Sequence, residues 1–202
     1  MVVKFFARMV SWVVSPLLIP TYTTLILLYS GFHFAMYSWP AKRMLLLVVF
    51  VATGVLPALT LLISEFGKKW IPSAPGMMDN RIAMIFISLY YYLGFYLLSK
   101  MPQYNLFKIL LLAGTLLVAL MVVLSLYRRI SLHMAALGST LGAVMAIAVR
   151  LNANPLPLLV TIVLISGVVG SALLLLRKHT LAETLAGFPL GFVHFFLLLY
   201  IL

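Results

Sequence analysis

Residues 177–192 read RKHTLAETLAGFPLGF. Arg177, Lys178 and His179 come first, Glu183 follows one helical turn later, and the remainder of the chain is almost wholly apolar. Glu183 is one of only three acidic residues among 202. An apolar run of about 20 residues matches the hydrocarbon core of a bilayer, so the stretch marks the mouth of a membrane span over 180–202. Similar runs recur upstream over 10–30, 44–64, 82–100, 106–127, 131–150 and 155–176, which gives seven spans in all.

The composition agrees. The chain is 65% hydrophobic and 8% charged, with a mean hydropathy of +1.20. Helices satisfy their own backbone groups in lipid, so the expected fold is an all-α, multi-pass helix bundle. No clean period-two alternation supports a transmembrane barrel. Only the turn-rich stretch over 68–80 interrupts the runs at length, and residues 1–202 read as a single membrane domain. Lys4 and Arg8 precede the first run without a small-residue cleavage site, so an uncleaved first helix is expected. The expected location is the bacterial cytoplasmic membrane, crossed several times.

With no cysteine, thiolate chemistry and disulfides are excluded. The net charge of +11 is scattered between apolar runs, as interface anchors are, and does not point to nucleic acid. No metal-ligand spacing is evident, and no cofactor is expected.

Seven spans place successive loops on alternating ends. The N-terminal end, X, receives the loops near 65–81, 128–133 and 177–183; the opposite end, Y, receives those near 31–43, 100–108 and 150–154. All three acids (Glu65, Asp79, Glu183) then fall on X, with His133, His179 and nine of the fourteen basic residues. The positive-inside rule makes X cytoplasmic, although five of those nine are also candidates for an anion site.

Two constellations on X could carry chemistry. RRISLHM, 128–134, opens the fifth span. Arginine presents a planar fork of donors suited to phosphate, and a helix N-terminus adds backbone N–H groups. Equally, Arg128 and Arg129 can snorkel to the interface and Ser131 can cap the helix. In the second, His179 and Glu183 are spaced i, i+4 and share a helix face, so the carboxylate can hold one ring nitrogen and fix the tautomer. Thr180 and Glu183 also form a capping-box pattern; one carboxylate could cap in one rotamer and orient the ring in another. Gly138 and Gly142 follow the first constellation, and Gly187 and Gly191 the second. Such four-residue spacing lets transmembrane helices approach closely, which would bring His133 and His179 to one pocket. Arg81, beside Asp79, either reaches that pocket or serves as an anchor. His33 reads as interfacial and His194 as a core histidine.

Two histidines, one with an acid four residues on, and arginines at one membrane face resemble the type 2 phosphatidic acid phosphatase superfamily. Its motifs are K-x6-R-P, P-S-G-H and S-R-x5-H-x3-D. Ser131 and His133 keep two residues of the second motif; His179 and Glu183 keep the third's histidine and acid, with Glu for Asp. The third motif's Ser-Arg falls on Ala172 and Leu173, and the first motif has no clear match. The resemblance implies a six-helix phosphatase-like core with one extra N-terminal span, and metal-independent hydrolysis of a lipid phosphate or isoprenoid diphosphate. It implies His179 as nucleophile, Glu183 as its orienting group, and His133 as the group that protonates the leaving oxygen and then activates water. Arg129 and Ser131 would bind phosphoryl oxygens, with Arg81, Arg177 or Lys178 covering for the missing arginine. The partner is a phosphorylated membrane lipid. The alternative is a catalytically degenerate relative that binds or transports an anionic lipid through the same pocket.

Overall fold

The computed structural model describes residues 2–30, 36–70 and 80–201, and the side chains of residues 4–30, 36–63 and 82–201. Expectations for Arg81, Asp79, Glu65 and His33 lie outside the described side chains. All regular structure among the described residues is helical. The helices are α1 (Val2–Val13), α2 (Ile19–Tyr29), α3 (Trp39–Phe50), α4 (Leu56–Trp70), α5 (Asn80–Ser99), α6 (Asn105–Leu124), α7 (Leu132–Leu151), α8 (Leu156–Leu175) and α9 (Leu181–Ile201).

Among the described residues, six helices are long and apolar enough to cross a membrane, so the expected count of seven is not reached: α3 run on into α4 (Trp39–Ile63), and α5 to α9. The span expected over 10–30 is divided. Pro16 has no N–H to donate and biases the residue before it away from helix, and the chain turns between Val14 and Leu18 before restarting as α2. Pro20 sits in the first turn of α2, where its missing donor costs nothing. At 11 residues α2 is about 16 Å long, roughly half the hydrocarbon core. It still carries the chain toward the Y end, where the Lys42 ammonium lies 5.2 Å from the centre of the Tyr29 ring.

Pro57 does not break the second span. Its missing N–H is absorbed by a π turn at Val51–Val55, closed by the Leu56 N–H bonding back to the Val51 carbonyl. The helix continues through it.

α7 is the central helix, with 67% of its membrane window buried against 28% for α9 and α5. Its closest partner is α9. Lipid tails are as apolar as leucine, so association depends on close packing, and here it is backbone against backbone. A Cβ at Gly138 would meet the Phe188 carbonyl, and at Gly142 that of Phe192. A Cβ at Gly191 would meet the Ala135 carbonyl, and one at Gly187 would lie 2.6 Å from the Ser131 oxygen. Steps of four ascend together on both helices, so α7 and α9 run parallel, with α8 as the crossover between them. This register sets the first turns of α7 and α9 level, and the Ser131 N–H donates to the Glu183 carbonyl at 3.2 Å. A large apolar core lies among α2, α3, α5, α6, α7 and α9. A smaller one, Ile19, Met134, Leu137, Val169 and Leu173, packs beneath the X end with Val10 and Val14 against it.

Candidate functional site

The ends of α6 and α8 and the starts of α7 and α9 converge on a cavity of about 790 Å³. Arg129, Arg177, Lys178, His179 and Glu183 all line it, with Met84 and Met121 among its apolar walls. Two constellations some fifty residues apart are thereby brought to one place.

The turn from α8 to α9 makes the basic half. α8 closes in a Schellman arrangement: Lys178 N–H donates to the Leu173 carbonyl at 3.1 Å and Arg177 N–H to Leu174 at 3.0 Å. The residue in the left-handed position is Arg177, with φ 53°, where glycine is favoured. An L-residue there costs about 1–2 kcal/mol. Arg177→Gly is therefore expected to raise the detergent melting temperature while weakening anion binding at the cavity. A variant that melts lower would show that the Arg177 side chain holds the fold together.

His179 Nδ1 lies 2.9 Å from Glu183 Oε2. A carboxylate only accepts, so Nδ1 carries a proton, and in the neutral ring the free electron pair is on Nε2. The same Oε2 accepts from the Thr180 N–H at 3.3 Å, while Thr180 Oγ1 accepts from the Glu183 N–H at 3.3 Å. The capping box and the His179 contact therefore coexist in one rotamer, and no exchange between two is needed. Arg129 acts on the Glu183 carboxylate through space.

His133 is placed beside this pair but is not part of the cavity wall. Its imidazole hydrogen-bonds to the backbone of Ser11 in α1 and lies within electrostatic reach of Lys178 and His179. Lys178 Nζ in turn donates to Ser11 Oγ at 3.1 Å. Ser11, which ties both residues to α1, escaped the sequence reading: a lone serine in an apolar helix carries no signal until the docking of that helix is known.

Ser131 departs from expectation. It is 0% exposed, does not line the cavity, and begins α7 without a side-chain capping bond. Its Oγ is buried with no hydrogen-bond partner. The α9 backbone, pressed against it at Gly187, seals it from the site. An unsatisfied buried hydroxyl costs about 1–3 kcal/mol, so Ser131→Ala should leave anion binding intact and stability unchanged or higher. Weakened binding in that variant would return Ser131 to the phosphate site.

Leu173, which the resemblance sets against a motif arginine, does not line the cavity. Leu173 is 0% exposed and belongs to the apolar cluster under the site, whereas Leu174 faces the cavity. Arg177 and Lys178 supply positive charge from the turn instead. Among the described residues no group of three His, Cys, Asp or Glu is placed to hold a metal ion. No family model, curated protein or solved structure matches the chain.

Proposed function

We propose that the protein is a membrane-embedded hydrolase of lipid phosphates or isoprenoid diphosphates that works through a phosphohistidine on His179. The observation that carries this reading is the 2.9 Å His179–Glu183 contact on the wall of a cavity that also presents Arg129, Arg177 and Lys178. Glu183 holds Nδ1–H, so Nε2 is the nucleophile. It attacks phosphorus, the bond to the leaving oxygen breaks, and that oxygen takes up a proton. Water then cleaves the phosphorus–nitrogen bond, releasing phosphate and restoring the ring. Charge in phosphoryl transfer gathers on the non-bridging oxygens, where three positioned cations stabilise it. His133 is the proton donor in this scheme. Because it is held at Ser11, the role requires that it swing toward the cavity or act through water.

A second reading has its own support. His133 stands off the cavity and Ser131 is sealed, which suits a protein that binds or moves an anionic lipid without cleaving it. Phosphate release in nanodiscs from phosphatidic acid, phosphatidylglycerophosphate and undecaprenyl diphosphate separates the two. The hydrolase reading expects release from at least one that is lost in His179→Ala. Equal release by both proteins on all three would remove it in favour of binding.

A further inference from the structure

α1 has 12 residues and is about 18 Å long, against about 30 Å for the hydrocarbon core, so it cannot cross. At about 100° per residue its polar side chains gather on one stripe: Lys4, Arg8 and Ser11 fall within about 60° of one another. Phe5, Phe6, Met9, Trp12 and Val13 spread over about 120° and share no direction with that stripe. No acidic residue lies on the helix.

Each sector has a different neighbour. α1 packs on α8. Ala7 and Ser11 are buried, and Val10 and Val14 lie against the apolar cluster that holds Met134, Val169 and Leu173. That is one flank. Phe5, Phe6, Met9, Trp12 and Val13 are all exposed, Trp12 by 81%. The Phe5 and Phe6 rings meet edge to face at 6.3 Å, so the apolar face is continuous at that end. Lys4 and Arg8 are exposed on the remaining side. Ser11 fixes the depth. Its Oγ accepts from Lys178 Nζ, and its backbone bonds to the ring of His133 in the first turn of α7. Both partners stand where the spans end, so this half of α1 is level with the X surface of the bilayer and not with its middle.

A contiguous patch of large apolar side chains marks an interaction site. The bundle on which α1 packs is itself in the membrane, so lipid is the neighbour that reaches the exposed flank. A helix with cations on one side and Phe and Trp on the other lies in the plane of the interface. We propose that α1 lies along the headgroup layer at the X end, with Phe5, Phe6, Met9, Trp12 and Val13 among the upper acyl chains and Lys4 and Arg8 at the lipid phosphates. Through Ser11 it props Lys178 and His133 beside the polar cavity, and the mouth of that cavity is held at the depth of the headgroups. The inference does not depend on turnover and applies to a hydrolase and a lipid-binding protein alike.

The test is spin labelling. With no cysteine in the chain, one cysteine introduced at a time carries a single nitroxide. Lys4→Cys, Phe5→Cys, Arg8→Cys, Met9→Cys and Trp12→Cys all fall at exposed sites, so the label leaves the contact with α8 intact. Power saturation in nanodiscs compares access of oxygen, which concentrates in lipid, with access of a water-soluble nickel chelate. The oxygen-to-nickel ratio is expected to be several-fold higher at Phe5, Met9 and Trp12 than at Lys4 and Arg8. The label at Met9 should stand level with one on Leu175→Cys, at the X end of α8, and shallower than one on Leu116→Cys, midway along α6. Nickel access at Phe5, Met9 and Trp12 equal to that at Lys4 and Arg8 would overturn the inference by putting the face in water. Low access to both reagents at those three sites would overturn it by showing a protein cover, whether a second copy or another chain. A Met9 label as deep as the one at Leu116 would overturn it by placing α1 in the hydrocarbon core. None of these readouts depends on phosphate release, so failure here leaves the hydrolase reading standing.

Discussion

Gly191→Leu is expected to leave almost no folded protein in detergent. The Cβ alone would overlap the Ala135 carbonyl, which is backbone and cannot rotate aside. α9 would have to leave α7 along the two turns that also hold Gly187 against Ser131. In lipid no hydrophobic force compensates for that loss of contact. Destabilisation of about 4 kcal/mol or more is expected, beyond the range of ordinary substitutions. Gly167 is the matched control: a Cβ there meets nothing within 4 Å. Gly167→Ala should therefore fold as well as the wild type, and size-exclusion profiles and thermal melts in detergent compare the pair. A folded, monodisperse Gly191→Leu protein would contradict the parallel α7–α9 register and with it the placing of both histidines at one end.

The second large effect is at Glu183. Glu183→Gln keeps a side chain that can accept from Thr180 N–H, so the first turn of α9 should persist. The carboxylate that holds Nδ1–H and balances the charge developing on His179 is gone. On the hydrolase reading kcat should fall by about 10²–10⁴, the usual weight of a positioned proton-transfer partner, with little change in KM. A loss confined to KM would instead make Glu183 part of lipid binding. Unchanged kinetics with a lower melting temperature would reduce it to a capping residue.

How far the chain could be read without coordinates differs from place to place. The spans are legible because their signal is additive over about 20 residues, and the two glycine pairs are legible because close approach of helices admits little else. Those two features suffice to bring RRISLHM and RKHTLAET together, and the structure does bring them together. The first span misled because mean hydropathy does not register that Pro16 removes a donor. The directions of Ser131 and His133 were not legible, for a different cause. A motif gives spacing along one helix, whereas their final directions depend on neighbours: the α9 backbone at Gly187 seals Ser131, and Ser11 on α1 draws His133 aside. Leu173 shows the converse, since its place in the apolar cluster under the cavity is decided by how the end of α8 packs.

The most direct measurement is an alkaline quench of the protein mixed with ³²P-labelled lipid phosphate, with the label mapped by peptide digestion; phosphohistidine is acid-labile but survives base. The account predicts label on His179 in the wild type, none in His179→Ala, and a reduced rate of labelling in Glu183→Gln. Release of phosphate with no label on His179 at any quench time, or label at the same level in His179→Ala, would contradict it.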